Sequence, residues 1–432
     1  MICNNITVNE KGHLCFAGRD TVELAEKYGT PLYLMDEEKI RENCRVYVNA
    51  LKKYFGENSM PLYASKANSF KRIYAIINEE GMGSDVVSSG EIYTAKKAGF
   101  PMEKTFFHSN NKTDADVEFA MENGVGFFVA DNAEELDAIN SKAKARNIRQ
   151  KVLLRLTPGI DPHTFAAVAT GKVDSKFGAA IETGQAQELT KYALSLENVD
   201  LQGFHCHVGS QVFDSEVYIK ASEIMLTFVK DMLDKFSFET KILDIGGGYG
   251  VRYTESNPHI DIDKNIKILS EEMKKFASQL GIELPVIMLE PGRSIVADAG
   301  MTLYTVGTLK KIPGYKCYVS IDGGMTDNPR YALYGSAYTV MIANKANEKA
   351  DMICTVAGRC CESGDLIQEN ISLTSTVKRG DICAVLTTGA YNYSMSSNYN
   401  RLPRPPIVMI DAEKDYVAVK RETFDDIISN DV

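Results

Sequence analysis

The sequence predicts an α/β fold: a (β/α)8 barrel of the TIM type, joined to a smaller, C-terminal, mostly β domain. Three observations carry the prediction. From about residue 60 to 290, short apolar runs alternate with amphipathic segments. The first of these runs lacks the G-x-G-x-x-G that a doubly wound dinucleotide-binding sheet would want. Beyond about residue 300 the runs read as strands with no helical segments between them.

A chain of 432 residues is too long for one ordinary domain, so two are expected. The strand-like runs of the first are LYAS (62–65), GFFVA (126–130), VLLRL (152–156), LQGFHCH (201–207), KILDI (241–245) and LPVIMLE (284–290). They are nearly continuous in apolar residues, as strands of a parallel sheet covered on both faces must be. A helix is expected from Ser69 to Glu80. Further on, Val117, Ala120 and Met121 share one helical face, and Leu136, Ile139 and Ala143 share another. Roughly 230 residues of this alternation suit a closed eight-fold barrel. In the second part MTLYTVGTLKKI (301–312), KCYVSIDGG (316–324), DMICTVAG (351–358) and YVAVKRE (416–422) read as strands. HLCF (13–16) and PLYLMD (31–36) are expected to pair with them. The expected boundaries are 37–297 for the barrel, and 1–36 with 298–432 for a sandwich- or barrel-like β domain.

Apolar residues make up 44% and charged residues 25%, a soluble globular composition. A net charge of -10 argues against nucleic acid or an anionic membrane as the main partner. No apolar stretch is long enough to span a bilayer. The start, MICNNITVNEKG, lacks the basic-then-apolar order of a secretory signal. The cysteines number nine, are scattered and form no CxxC pair. Free thiols in a reducing cytoplasm are therefore expected.

In a β/α barrel, chemistry gathers where strands end and loops begin. Lys66 stands at the end of the first run. Alone it reads as a solvated rim lysine. The sharper reading is a Schiff-base lysine, whose amine can be desolvated and deprotonated. His207-Val-Gly-Ser210 follows one late strand, and Gly246-Gly247-Gly248 follows the next. Glycine lets backbone N–H groups approach an anion, and late barrel loops are the usual phosphate position. Glu290-Pro-Gly292-Arg293 ends the last run, where acid and arginine alone could be a plain ion pair. Together these groups suit an aromatic cofactor bearing a phosphate. His207 is then either a ring-stacking group or a satisfied core histidine.

Ten segments in order extend the argument. They are YASKAN (63–68), GSDVVSSGE (83–91), HSNNK (108–112), SKFG (175–178), HVGSQ (207–211), LDIGGGYG (243–250), EPGR (290–293), DGGMTDNPRYALYG (322–335), CESGD (361–365) and GAYNYSMSSNYN (389–400). They resemble the PLP-dependent decarboxylases of the alanine racemase-like barrel fold (group IV decarboxylases), and within them the diaminopimelate decarboxylase family. The resemblance implies pyridoxal 5'-phosphate held covalently by Lys66, with His207 stacked on its ring. Ser210, Gly246, Gly247, Gly248, Gly292, Arg293 and Tyr391 would hold the cofactor's phosphate end, and Glu290 would face the ring nitrogen. A carboxylate there favours decarboxylation; the family's racemase branch has an arginine at that place.

The same resemblance implies a homodimer with shared sites. Cys361 and Glu362 would reach the neighbouring subunit's pocket, with Cys361 or Lys66 as proton donor. Arg293, Arg330, Tyr334 and Tyr391, with Glu362 and Ser363, would bind meso-diaminopimelate, which loses the carboxylate of its D centre to give L-lysine. The stretch 155–178 departs from the family pattern: Thr157 stands where asparagine is usual, and PHTFAAVATG (162–171) replaces a more usual THxYIxTG. DGGM (322–325) replaces a more usual DAGM. Carboxynorspermidine, a D-amino acid or a basic L-amino acid stay open as other substrates. A binding protein that kept the fold and lost the reaction is disfavoured by the retention of Lys66, Glu290 and Cys361.

Overall fold

The computed structural model describes residues 2–160 and 174–432. The unusual PHTFAAVATG segment (162–171) lies outside the described residues. The chain forms two compact units. One comprises Asn43–Gly250 and Ile260–Ser294; the other comprises the residues up to Glu42 with Val251–His259 and Ile295–Val432.

The first unit is a closed barrel of eight parallel strands: β1 (Met60–Ala64), β2 (Gly83–Val86), β3 (Thr105–Phe107), β4 (Phe127–Ala130), β5 (Gln150–Thr157), β6 (Val199–Cys206), β7 (Ile242–Asp244) and β8 (Val286–Leu289). Closure is made by Met288 of β8 against Met60 of β1. Leu62, Phe106, Val129, Leu153, Ile242 and Met288 pack together as one apolar cluster from six of these strands. The helices between strands bury the faces expected of them: Val117, Ala120 and Met121 in Asp114–Glu122, and Leu136, Ile139 and Ala143 in Ala133–Ala145. Their starts are capped, by a Thr113–Asp116 capping box and by Asn132 accepting from Glu135 N. The helix expected at 69–80 runs from Lys71 to Glu79.

Two barrel strands are too short or too polar to show as apolar runs. In β2 the sequence is GSDV, with Ser84 and Asp85 buried, and β3 has only three residues. Their identity comes from pairing between neighbours, not from their own pattern.

In the second unit the long strand Gly300–Ile312 pairs antiparallel with Leu32–Asp36, Lys316–Ile321 and Ile382–Leu386. PLYLMD thus joins this sheet as expected. HLCF does not: Leu14–Phe16 sits in a separate three-stranded sheet with Ile6–Val8 and Arg19–Asp20. Leu14 and Phe16 nevertheless share an apolar cluster with Leu32, Leu34, Met301 and Leu303, which is the contact their hydrophobicity reported. The expectation of strands without helices is also corrected. Short helices stand at Arg330–Tyr334 and Phe424–Ile428, the first opened by Pro329 and ended by Gly335 at φ 62°. Among the described residues, no helix is long and apolar enough to cross a membrane. All nine cysteines are free.

Candidate active site

The C-terminal ends of the barrel strands carry a ring of polar side chains. Lys66 lies just past β1, Asp85 near the end of β2, His108 just past β3, and Arg155 near the end of β5. His205 lies on β6, Asp244 ends β7, and Glu290 follows β8. Strand register places Arg155, His205 and Asp244 side by side. A one-sided ladder of this kind points all three the same way.

Lys66 sits on the single 3-10 turn Ser65–Ala67, and its side chain is exposed while its neighbours Ser65 and Ala67 are buried. That turn is anchored from the helix that follows β2, Ser89–Lys97. Glu91 Oε2 accepts from Ser65 Oγ at 2.8 Å and from Val87 N at 2.6 Å. Burial pushes the Glu91 carboxyl up to about 7, against the lowering effect of those two donors. A carboxyl raised in the folded state binds its proton more tightly there than in the unfolded chain. Its contribution to stability is therefore greatest below pH 4.5 and is lost as pH rises to about 7, by on the order of 3 kcal/mol. Glu91→Gln, which keeps an acceptor oxygen, is expected to flatten that part of the stability curve, read by urea unfolding of variant and wild type at pH 5 and pH 8.

Glu290 is buried between two imidazoles. His205 Nε2 meets Oε2 at 3.2 Å, and His108 Nε2 comes within 2.8 Å of Oε1 without the alignment of a hydrogen bond. Burial alone would raise the Glu290 carboxyl; the imidazoles of His108 and His205 outweigh it and hold the group well below the usual carboxylate range. Its neighbours move the other way. Burial, and the charge of Glu290, push Asp244 well above the ordinary value, and burial raises Asp85. Burial lowers His205 to about 4.

The opposite end of the site is a set of loops joined by backbone. Glu290 N donates to Gly246 O, Ala64 N to Pro291 O, and Val212 N to Gly248 O. Gly247 N donates to His207 Nδ1 at 3.3 Å, so the ring of His207 is turned by the triple-glycine loop. Burial, then the charges of Lys66 and Arg155, lower His207 well below its ordinary value, which keeps it a neutral ring. Arg293 Nη2 donates to Ser210 Oγ at 2.8 Å. A Cβ at Gly247 would stand 1.9 Å from Glu290 O, and one at Gly248, at φ +114°, would stand 2.0 Å from Gly209 O. Glycine is thus demanded here by the fold itself as well as by any anion.

Within the barrel unit, then, Lys66, His207, Ser210, Gly246, Gly247, Gly248, Glu290, Gly292 and Arg293 occupy the same end of the barrel. The remaining sequence-derived residues belong to the second unit. There Arg330 is buried among aromatic rings, its guanidinium 5.7 Å from the centroids of Tyr253 and Tyr334 and 5.4 Å from that of Tyr391. Cys361, Glu362 and Ser363 form an exposed turn. Asp365 fixes the base of that turn: it accepts from Met325 N and Cys360 N, both at 2.6 Å. Cys361 N donates to Asn400 Oδ1 at 2.9 Å. Burial and Asp365 push the thiol of adjacent Cys360 up to about 12.

Sequence reasoning missed Asp85, His108, Arg155, His205 and Asp244 as site groups. One signal was available: His205 and His207 stand two apart in the run LQGFHCH, a spacing that on a strand puts both on one face, although β6 itself ends at Cys206. Thr157 is buried and donates to Phe177 O at 2.7 Å.

The donor set fits pyridoxal phosphate. A buried carboxylate kept ionised suits a protonated ring nitrogen, an exposed lysine at β1 suits an aldehyde, and loops too tight for a Cβ suit close backbone approach to a phosphate. A sequence model described as the pyridoxal-dependent decarboxylase, pyridoxal binding domain matches residues 37–297. Fold and site together define a class, the PLP-dependent decarboxylases built on a β/α barrel. The chain is 45% identical to the diaminopimelate decarboxylase of Bacillus methanolicus, over 96% of each chain, and 43% identical to that of Bacillus subtilis (strain 168), over 98% of this chain and 96% of the relative. The crystal structure of diaminopimelate decarboxylase from M. jannaschii in complex with L-lysine superimposes with a TM-score of 0.90 at 33% identity, covering 100% of this chain and 98% of that one. The chain belongs to the diaminopimelate decarboxylase family.

Proposed function

We infer that the chain removes the carboxylate of the D centre of meso-2,6-diaminopimelate as CO2 and leaves L-lysine. The observation that carries the reading is Glu290, a buried carboxylate kept anionic by two imidazoles at the end of the barrel that holds Lys66. Bound pyridoxal phosphate supplies an electron sink for the pair released when CO2 departs. The chain's own residues do the rest. Lys66 anchors the aldehyde end, His207 covers a ring face, and Glu290 keeps a proton on the ring nitrogen. Ser210, Gly246, Gly247, Gly248, Gly292, Arg293 and Tyr391 hold the phosphate.

Cys361 returns a proton to the carbon that lost CO2; its exposure supports this over Cys360, whose raised thiol is tied to Asp365. Arg330, with Arg293, Tyr334 and Tyr391, receives the distal carboxylate, and Glu362 with Ser363 receives the distal ammonium. A guanidinium offers a carboxylate two parallel hydrogen bonds, which a substrate without that group could not use. Arg330→Ala is expected to weaken diaminopimelate binding by about 2–5 kcal/mol, read as a raised KM with kcat changed far less. The working form is a homodimer in the cytoplasm, each subunit lending its Cys361 turn to the other. Exposed Leu333 and Tyr399, next in sequence to Tyr334 and Asn400, are apolar surface that such an assembly would cover.

The test is direct. Purified protein with PLP is given meso-diaminopimelate, and CO2 and lysine are measured in equal amounts. Turnover of carboxynorspermidine, a D-amino acid or a basic L-amino acid in its place would replace this substrate assignment.

A further inference from the structure

Three carboxyl groups crowd the end of the barrel where the cofactor ring nitrogen is assigned: Asp85, Asp244 and Glu290, each buried. Three like charges cannot share so small a buried space at low cost. Their partners differ. Asp244 takes one N–H, from Gly246, on Oδ1, and its Oδ2 has no hydrogen-bond partner. Asp85 Oδ1 likewise has none, with His108 Nε2 at 3.8 Å. Glu290 alone has an imidazole against each oxygen. The two rings brace one another edge to face, with centroids 4.8 Å apart and planes at 72°. The other charged or titratable groups that face the cluster are Lys66, Arg155, His207, Glu91, Cys206 and Tyr74.

We propose that His108 and His205 are positioning residues for the decarboxylation: held against Glu290 from β3 and β6, they select it, out of three neighbouring carboxyls, as the anion presented to the ring nitrogen. The inference rests on the cofactor reading above and adds to it. Neither histidine needs to touch the substrate. Each acts through Glu290, by contact from His108 and by a hydrogen bond from His205. Without them, the charge is expected to spread towards Asp244 and Asp85, and Glu290 to take up a proton. The directions of the shifts agree with this: Glu290 is lowered, while Asp244 and Asp85 are raised.

The experiment uses full-length protein and four variants: His108→Leu, His205→Leu, His108→Gln and His205→Gln. Leucine removes the polar ring that faces Glu290, and glutamine puts back a polar N–H group that does not titrate. Apo protein is titrated with PLP, following the near-violet absorption band, and the band of the loaded protein is then titrated with pH. The leucine variants are expected to bind PLP about tenfold more weakly, to shift the pH midpoint of the band by about one unit, and to lose kcat about tenfold or more at nearly constant KM. The glutamine variants are expected to recover most of each loss. Folded leucine variants with unchanged PLP affinity and band midpoint would overturn the inference, and so would glutamine variants as impaired as leucine ones. Should a leucine variant fail to fold, its glutamine counterpart decides: wild-type-like PLP affinity and band support the inference, and a tenfold loss overturns it. A wild type that takes up no PLP would instead bring down the cofactor reading, and this inference with it.

Discussion

Lys66→Ala is expected to leave a folded protein that still takes up PLP, loosely, and turns over diaminopimelate about a thousandfold more slowly or worse. The fold should survive because the lysine side chain is exposed, while the turn that carries it is held by other groups. Ser65 Oγ donates to Glu91, and Tyr63 Oη donates to Asn68 O at 2.8 Å, neither of which involves position 66. The residual uptake should come from the loops after β6, β7 and β8. Two measurements check this. Borohydride treatment followed by intact-mass analysis should add the cofactor mass to wild type and nothing to the variant. Steady-state assay should show the rate loss. Activity at a tenth of wild type or more would mean that the covalent anchor is another residue.

The second large effect is expected at Glu290. Glu290→Gln keeps the size of the side chain and removes its charge, so kcat should fall by about 10²–10³-fold while PLP remains bound. The loss follows from the chemistry of the ring: an uncharged amide cannot keep the ring nitrogen protonated, and a neutral ring accepts the departing electron pair poorly. The visible spectrum should report the altered ring even before substrate is added. A variant with normal kcat would separate decarboxylation from the ring nitrogen's charge altogether.

Much of the site was legible because it is written in glycines and in residues next to them. Gly246 to Gly248, Gly292, Lys66, His207 and Glu290 all stand where an apolar run stops, and a run that stops is visible in one dimension. The layer beneath was not. Asp85, His108, Arg155, His205 and Asp244 interrupt strands or their ends as single polar residues, and only barrel closure turns them towards a common space. The same cause hid two strands. GSDV and TFF are too short and, for the first, too polar to rise above the loops around them. HLCF was expected to pair with the strands of the second unit and lies instead in a separate sheet, since burial in a shared cluster and pairing across hydrogen bonds leave the same trace in hydrophobicity. The short helix at Arg330 has five residues, less than two turns, and offers no periodicity to detect.

The backbone bonds that link β1, the triple-glycine loop and Glu290 have a thermodynamic consequence. A cradle stitched by main-chain hydrogen bonds does not wait for a ligand to order it, so the entropy of ordering belongs to folding and not to uptake of the cofactor. Apoprotein and holoprotein should then differ little in hydrogen-exchange protection at the amides of Ala64, Val212 and Glu290. Reconstitution becomes a rigid docking step, limited by diffusion and by formation of one covalent bond.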